Sequence, residues 1–354
     1  MHPANNFDGL RLLLALIVVW GHQDHSKQWA ADAAVLSFFV LSGLLVSKSW
    51  FADPNPWRFF QRRFLRIWPG LALVVVVCAA AAYWFASGPW IRMERLASIV
   101  YLRNLWLHIF DWSFFANGRM NGSLWTLPFE VDLYGVLALL GLFGSRLFFA
   151  VAPLLWIAAF IATPITGAPS QLGQAWSLYF AGFFFAGACL ARWPALLRPR
   201  IALIAAAVGI GLLAFGQVDA GRLVLIPVAT VSIGSRSWTG LRSLSKFGDL
   251  SYGSYIWAWP IQQVTHLWLP ASTPVWLQMM VVVPQVLIAA SISWHVVEKR
   301  ALRWKPRAAP TTPGARPWWR LEVGSLSETS AKLVRLLGRQ RRKSWRKGPE
   351  PPAA

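Results

Sequence analysis

Apolar residues run through the first 300 positions in long blocks separated by short polar breaks. Ten blocks approach the roughly 17–25 residues that a helix needs to cross a bilayer. They fall at about 9–26, 31–50, 67–87, 124–143, 147–164, 173–191, 201–217, 222–235, 250–268 and 275–296, the eighth being the shortest. The stretch "SIVYLRNLWLHIF" at 98–110 is too short and carries Arg103, so it reads as re-entrant or interfacial. The pattern predicts an all-α fold, a polytopic membrane helix bundle of about ten transmembrane helices. It stops near residue 305. Beyond lie a Pro-rich linker, "KPRAAPTTPGARPW", and a basic segment, "SAKLVRLLGRQRRKSWRK". We therefore divide the chain into a membrane domain, 1–305, and a cytoplasmic tail, 306–354.

Composition agrees with this. Of 354 residues, 56% are hydrophobic and 14% charged, against about a quarter charged in a typical soluble domain. Cys78 and Cys189 fall inside apolar blocks and read as buried small hydrophobes, so neither a disulfide framework nor a metal site is expected. The first block lacks a basic leader and a small-residue cleavage site and is expected to remain as an anchor.

The net charge of +20 would suggest nucleic acid in a soluble protein. Its distribution argues against that. With the N-terminus in the cytoplasm, ten spans leave only Lys27, Arg92, Arg95, Arg103, Arg119 and Arg222 outside, of 34 lysines and arginines. The positive-inside rule then favours both termini in the cytoplasm, and no nucleic-acid partner is expected. A helix in the basic tail would lie on anionic membrane lipids, each Lys or Arg worth ~1 kcal/mol there. A disordered basic tail is the alternative.

Charge inside the blocks points to chemistry, because intramembrane ionisable residues are costly. The first block reads "FDGLRLLLALIVVWGH". Arg11 and His22 are eleven residues apart, about 16 Å of helix rise, and eleven steps of about 100° return to nearly the same face. Asp8 lies one turn before Arg11 and can pair with it. A snorkelling Arg with an interfacial His is the bland reading. In the second block, Ser42–Gly43 allows close approach of a helix or a ligand. Before the third, Arg58, Arg62, Arg63 and Arg66 form either a topology signal or, through their planar guanidinium forks, a phosphate site. Asn121 opens a turn or helix start ahead of Trp125, and Glu130 and Asp132 are then carried into apolar surroundings. A carboxylate there could orient His22 as a general base, or could simply pair with an Arg. Late in the chain, Tyr252, Tyr255, Trp257 and Trp259 suit an aromatic belt.

Taken in order, "FDGLR" with its Arg-x10-His spacing, "FFVLSG", "RRFLRIWP", "NGSLWTLPFE", "LSYGSYIWAWP" and "SWHVVEKRAL" resemble the acyltransferase-3 family of membrane O-acyltransferases, which modify bacterial glycans. The resemblance covers residues 7 to about 303. It implies a catalytic role for His22 with Arg11, an acyl-CoA site at Arg63 and Arg66 beside Arg62, and an acidic signature position at Glu130. Asp8, Ser42, Asn121, Trp125, Asp132 and Tyr255 are expected to support them. It also implies a multi-pass protein of the bacterial inner membrane (EC 2.3.1.-), with acetyl-CoA or another acyl-CoA as co-substrate and no bound cofactor. Departures are Ala258 where many members have His, Arg300 where many have Pro, and Val131–Asp132 in place of Glu-Gln.

The expected reaction moves an acyl group, most often acetyl, from cytoplasmic acyl-CoA to a sugar hydroxyl of a cell-surface or exported glycan. A lipid-linked or small oligosaccharide is the favoured acceptor. His22 would act as general base or transient acyl carrier, with Glu130 or Asp132 holding its tautomer. The rival is a transporter or flippase of glycan intermediates without acyl transfer.

Overall fold

The computed structural model describes residues 6–85, 91–107, 121–166, 174–236, 238–244, 248–270 and 272–306, and these are helical almost throughout. In chain order the helices are α1 (Asn6–Gln23), α2 (Gln28–Ala52), α3 (Pro56–Phe85), α4 (Ile91–Val100), α5 (Leu127–Leu142), α6 (Ser145–Thr166), α7 (Gln174–Arg192), α8 (Pro199–Ala214), α9 (Val218–Ser235), α10 (Thr239–Leu244), α11 (Ser251–Trp268) and α12 (Val275–Ser293). A tight 3₁₀ turn, Gly122–Thr126, leads into α5, and a single wide π turn, Trp294–Glu298, follows α12.

Each of the ten apolar blocks is a helix. Among the described residues, six stretches are long and apolar enough to cross a bilayer: His25–Ala52, Pro56–Trp84, Gly122–Leu142, Ser145–Ala162, Val218–Ser235 and Val275–Trp304. The apolar helices at Ser177–Arg192 and Pro199–Ala214 are shorter. The chain is a polytopic membrane helix bundle. α1 and α11 have 18 residues each but are interrupted by polar side chains. They tolerate those groups because each has protein on several sides: α1 packs against α2, α9, α10, α11 and α12, and α11 also meets α3. Lipid-type surface lies elsewhere. On α8, Leu203 and Ile204 are 70% and 65% exposed, and within that helix only Gly209 is buried.

Helix spacing is set by small residues. A Cβ on Gly43 of α2 would come within 1.7 Å of the Phe184 carbonyl oxygen of α7. One on Gly187 of α7 would come within 2.0 Å of the Val40 carbonyl oxygen of α2. The pair is reciprocal, so the two backbones touch where water-driven association is absent and close packing must hold helices together. The close approach expected at Ser42–Gly43 is thus made by α7 at Gly43, while Ser42 turns elsewhere. Cys78 and Cys189 are both buried and free.

Between α2 and α3 the chain reverses at Asp53. Its carboxylate accepts from Arg58 Nε (2.9 Å) and Nη2 (2.5 Å) and from Arg62 Nη1 (2.8 Å). The hydrogen bonds from Arg58, opposed by burial and helped by Arg62, hold the Asp53 carboxyl down at about 2. The part of 98–110 that is described is the end of α4 and a 3₁₀ turn at Tyr101–Leu105. Arg119 and the tail from residue 307 lie outside the described residues.

Candidate active site

α1, α2, α3, α11 and the start of α5 enclose a cavity of about 280 Å³. One end is cationic. Arg11 comes from α1, Arg63 and Arg66 from one face of α3, and Lys305 from beyond the π turn. Arg66 Nη2 donates to Asp249 Oδ2 at 2.5 Å, and Arg11 Nη1 reaches the same oxygen at 3.4 Å. Glu298, buried below, lies 3.9 Å from Arg66 Nη1 and accepts from Ser293 Oγ at 2.7 Å. Asp8 is close enough to interact with Arg11 and Arg66. Burial opposes the charge on Asp249, yet Arg66, Arg11 and Ser251 together hold its carboxyl well below the usual carboxylate range.

Arg63 is placed differently. Among the described residues no carboxylate forms an ion pair with it, and its Nε is buried without a hydrogen-bond partner. Its guanidinium lies 6.0 Å from the Phe59 ring centre and 5.8 Å from that of Tyr134. Partial burial, then the guanidiniums of Arg66 and Arg63, push the Lys305 amine down to about 8, against the pull of Asp249. Lys305 keeps solvent contact at the cavity mouth.

The wall formed by α2 and α5 carries Glu130. Ser42 Oγ donates to its Oε1 at 2.8 Å, and the Tyr134 hydroxyl makes a short bond to the same oxygen. Ser42 and Tyr134 are themselves 3.1 Å apart. The structure therefore brings Glu130 to Ser42, in electrostatic reach of Arg63, and does not bring it to His22. The cause is the chain's path. Gly122 sits at the level of His22 against Trp259, and the eight residues from there to Glu130 run inward by about 12 Å or more of helix rise.

His22 stands at the far end of α1, outside the cavity lining. Its ring meets Trp259 edge-on, with centroids 5.3 Å apart and planes at 77°. Gln28 and Asp32 lie close enough to act on it electrostatically, and Gln28 Nε2 donates to Asp32 Oδ1 at 3.1 Å. The last turn of α1 is fixed from α11 and α12. Gln262 Nε2 donates to the Val19 carbonyl and to Gln23 Oε1, both at 2.9 Å, and Gln23 bonds Gln278.

The acyltransferase domain family matches residues 5–294, a span that takes in every helix just described. The chain belongs to the acyltransferase-3 family. It is a multi-pass membrane O-acyltransferase, EC 2.3.1.-, and an acyl donor is part of its reaction. It is similar to the O-acetyl transferase of Shigella phage Sf6, with 27% identity over 85% of this chain and 97% of that one. It is 27% identical to a protein provisionally named membrane-bound transacylase BcsY, of Komagataeibacter xylinus, over 86% of this chain and 84% of that one. It is 28% identical to the peptidoglycan O-acetyltransferase OatA of Listeria monocytogenes over 36% of this chain and 22% of that one. No solved structure matches it.

The remaining expected residues of the acyltransferase divide. Asn121 caps the 3₁₀ turn, accepting from Ser123 N at 3.0 Å, and its Nδ2 donates to the Ile256 carbonyl of α11 at 2.9 Å. Tyr255 lines the cavity, its hydroxyl 2.7 Å from Thr126 Oγ1. Arg62 is engaged by Asp53 outside the cavity lining. Trp125 packs towards Phe180 and Phe129, and Asp132 is exposed. Asp249, Lys305, Tyr134, Gln28 and Asp32 were not singled out from the sequence. Tyr134 has a local signal, four residues after Glu130 on one helix. Asp249 and Lys305 have none, since they reach the cavity only through the tertiary fold.

Proposed function

We propose that this acyltransferase moves an acyl group, acetyl in the first instance, from cytoplasmic acyl-CoA to a sugar hydroxyl of a cell-surface or exported glycan. The observation that carries the proposal is a cavity with four cations at one end and an apolar wall at the other, set along α1 from His22. Arg11, Arg63, Arg66 and Lys305 match the donor's phosphates, for which guanidinium forks are suited. Arg63 is the natural first contact, because among the described residues no carboxylate forms an ion pair with it. The positive-inside bias supports an orientation with this end in the cytoplasm of a bacterial cell and His22 towards the outer face of the inner membrane. The basic tail then meets anionic lipids.

At His22 a sugar hydroxyl attacks the thioester carbonyl as the imidazole takes its proton. The C–O bond forms, the C–S bond breaks, and the thiolate leaves with a proton returned from the imidazolium. Gln28, with Nε2 turned to Asp32, offers its carbonyl oxygen to one ring N–H, which leaves the other nitrogen free as the base. General-base action supplies roughly 10²–10⁴-fold, and holding both substrates in one dry passage supplies much of the remainder. A lipid-linked or small oligosaccharide fits an acceptor met at the membrane surface. The relatives named for O-acetyl transfer, one of them on peptidoglycan, support the acyl group and the acceptor class.

The test is transfer of labelled acetyl-CoA into glycan by membranes containing the chain. His22→Ala should abolish transfer and Arg63→Ala should raise the donor KM. If both variants transfer like the wild type, the assignment is wrong. A deletion strain whose glycan keeps all its acetyl groups would refute the acceptor class.

A further inference from the structure

We propose that Phe38, Thr126 and Tyr255 form the acyl-size filter of the enzyme, admitting short acyl groups from the donor cavity towards His22. The inference rests on the acyl-CoA reading above and deepens it. The three side chains come from α2, from the turn before α5 and from α11, and all line the cavity away from its cationic end. The Tyr255 hydroxyl and Thr126 Oγ1 are 2.7 Å apart, which ties two of these elements together. The Phe38 ring meets the Tyr255 ring edge-on, with centroids 6.1 Å apart. The third element is thereby closed against the other two.

In the next layer outward, the turn before α5 is packed tightly against α11. Four residues after Tyr255 comes Trp259, whose ring lies 5.3 Å from that of His22. Four residues before Thr126 comes Gly122, where a Cβ would fall 2.8 Å from the Trp259 ring. The bond from Asn121 to the Ile256 carbonyl clamps the same two elements together at that level. An acyl chain approaching His22 from the cavity must therefore lie against Phe38, since the wall beyond Thr126 and Tyr255 is already filled.

Phe38 is also the adjustable member. It is half-buried and faces the cavity. Its neighbour Phe39 is 4% exposed and stacked on Phe180 at 4.3 Å, as part of the packed α2–α7 core. Trimming Phe38 enlarges the cavity without removing a core contact of that kind. A hydrophobic wall discriminates by about 10–200-fold per methylene-sized difference, so selection among short chains is within its reach.

The experiment offers membranes carrying the wild type, Phe38→Leu or Phe38→Ala an equimolar mixture of acetyl-, butyryl- and hexanoyl-CoA, and reads the acyl groups on the glycan by mass spectrometry. The ratio of products is independent of how much enzyme folds. The wild type should transfer acetyl almost alone. Phe38→Ala should raise the hexanoyl-to-acetyl ratio by about tenfold or more, with Phe38→Leu between. An unchanged ratio in an active Phe38 variant overturns the filter. Should both Phe38 variants be inactive, Thr126→Ser, which removes one methyl from the same layer, decides: an unchanged butyryl-to-acetyl ratio overturns the proposal. If the wild type transfers nothing from any acyl-CoA, the donor reading itself fails.

Discussion

Replacing Lys305 by Met should erase a pH dependence of donor affinity that the wild-type enzyme shows above neutrality. The Lys305 amine stands at the cavity mouth with a pKa of about 8, pushed down by partial burial and by Arg66 and Arg63. A group with that pKa is about nine-tenths protonated at pH 7 and about one-tenth at pH 9. The side chain is partly exposed, so its contact with a donor phosphate carries the surface value of about 1 kcal/mol, a factor of roughly five in affinity. Weighting that factor by the protonated fraction gives a donor KM that rises roughly threefold between pH 7 and pH 9. Phosphate ionises near pH 6, below this window, and does not interfere. The assay is the KM for labelled acetyl-CoA across that range in detergent or nanodiscs. Lys305→Met should give a flat profile with KM raised roughly fivefold at pH 7. Lys305→Arg should be flat at the low value. A flat wild-type profile, or the same slope in Lys305→Met, refutes the placement of Lys305 at the donor.

Three further outcomes follow from the geometry. Asp32→Asn should lower kcat by roughly tenfold or more with the acetyl-CoA KM unchanged, because Asp32 reaches the reaction only through Gln28 and His22. A rise in KM with kcat intact would show that Asp32 acts on the donor instead. Gly187→Ala would put a Cβ 2.0 Å from the Val40 carbonyl oxygen, an overpacking worth about 1–3 kcal/mol, and should lower the melting temperature measured in detergent. An unchanged melting temperature would mean that α2 and α7 do not touch there. The Asp53 carboxyl has its pKa lowered to about 2 on folding, so its pairing stabilises the fold fully above the ordinary value near 3.8 and is lost as pH falls through 2. Melting of the wild type should fall more steeply than that of Asp53→Asn below pH 4, and equal slopes would contradict it.

The helices were legible in the sequence because a chain in lipid must satisfy its backbone hydrogen bonds locally, and long apolar blocks can do so only as helices. Arg11 and His22 were legible for a related reason: helical periodicity alone puts them at opposite ends of one face. Small-residue packing at Ser42–Gly43 was half legible, since the sequence announces a close approach but not which helix makes it. The site's partnerships were not legible. Glu130 looked like a mate for a histidine entering from the same side, but the 3₁₀ turn ahead of α5 carries it past His22 to Ser42 and Tyr134. Arg62 looked equivalent to Arg63 and Arg66, but it stands one turn nearer the α2–α3 reversal than Arg66 and pairs there with Asp53.

By itself, then, the sequence determined the class of fold, the segments that form helices and, through six weak motifs in register, the family. Each depends on residues near one another in the chain or on their order along it. Only the tertiary structure decided that Asp249, 183 residues after Arg66, joins the arginines, and that Lys305 closes the cavity mouth. It also decided that Gln28 and Asp32, rather than Glu130, attend His22. Pairing between buried charges depends on the depth and rotation of separate helices, and those are set by packing of the whole bundle rather than by spacing along the chain.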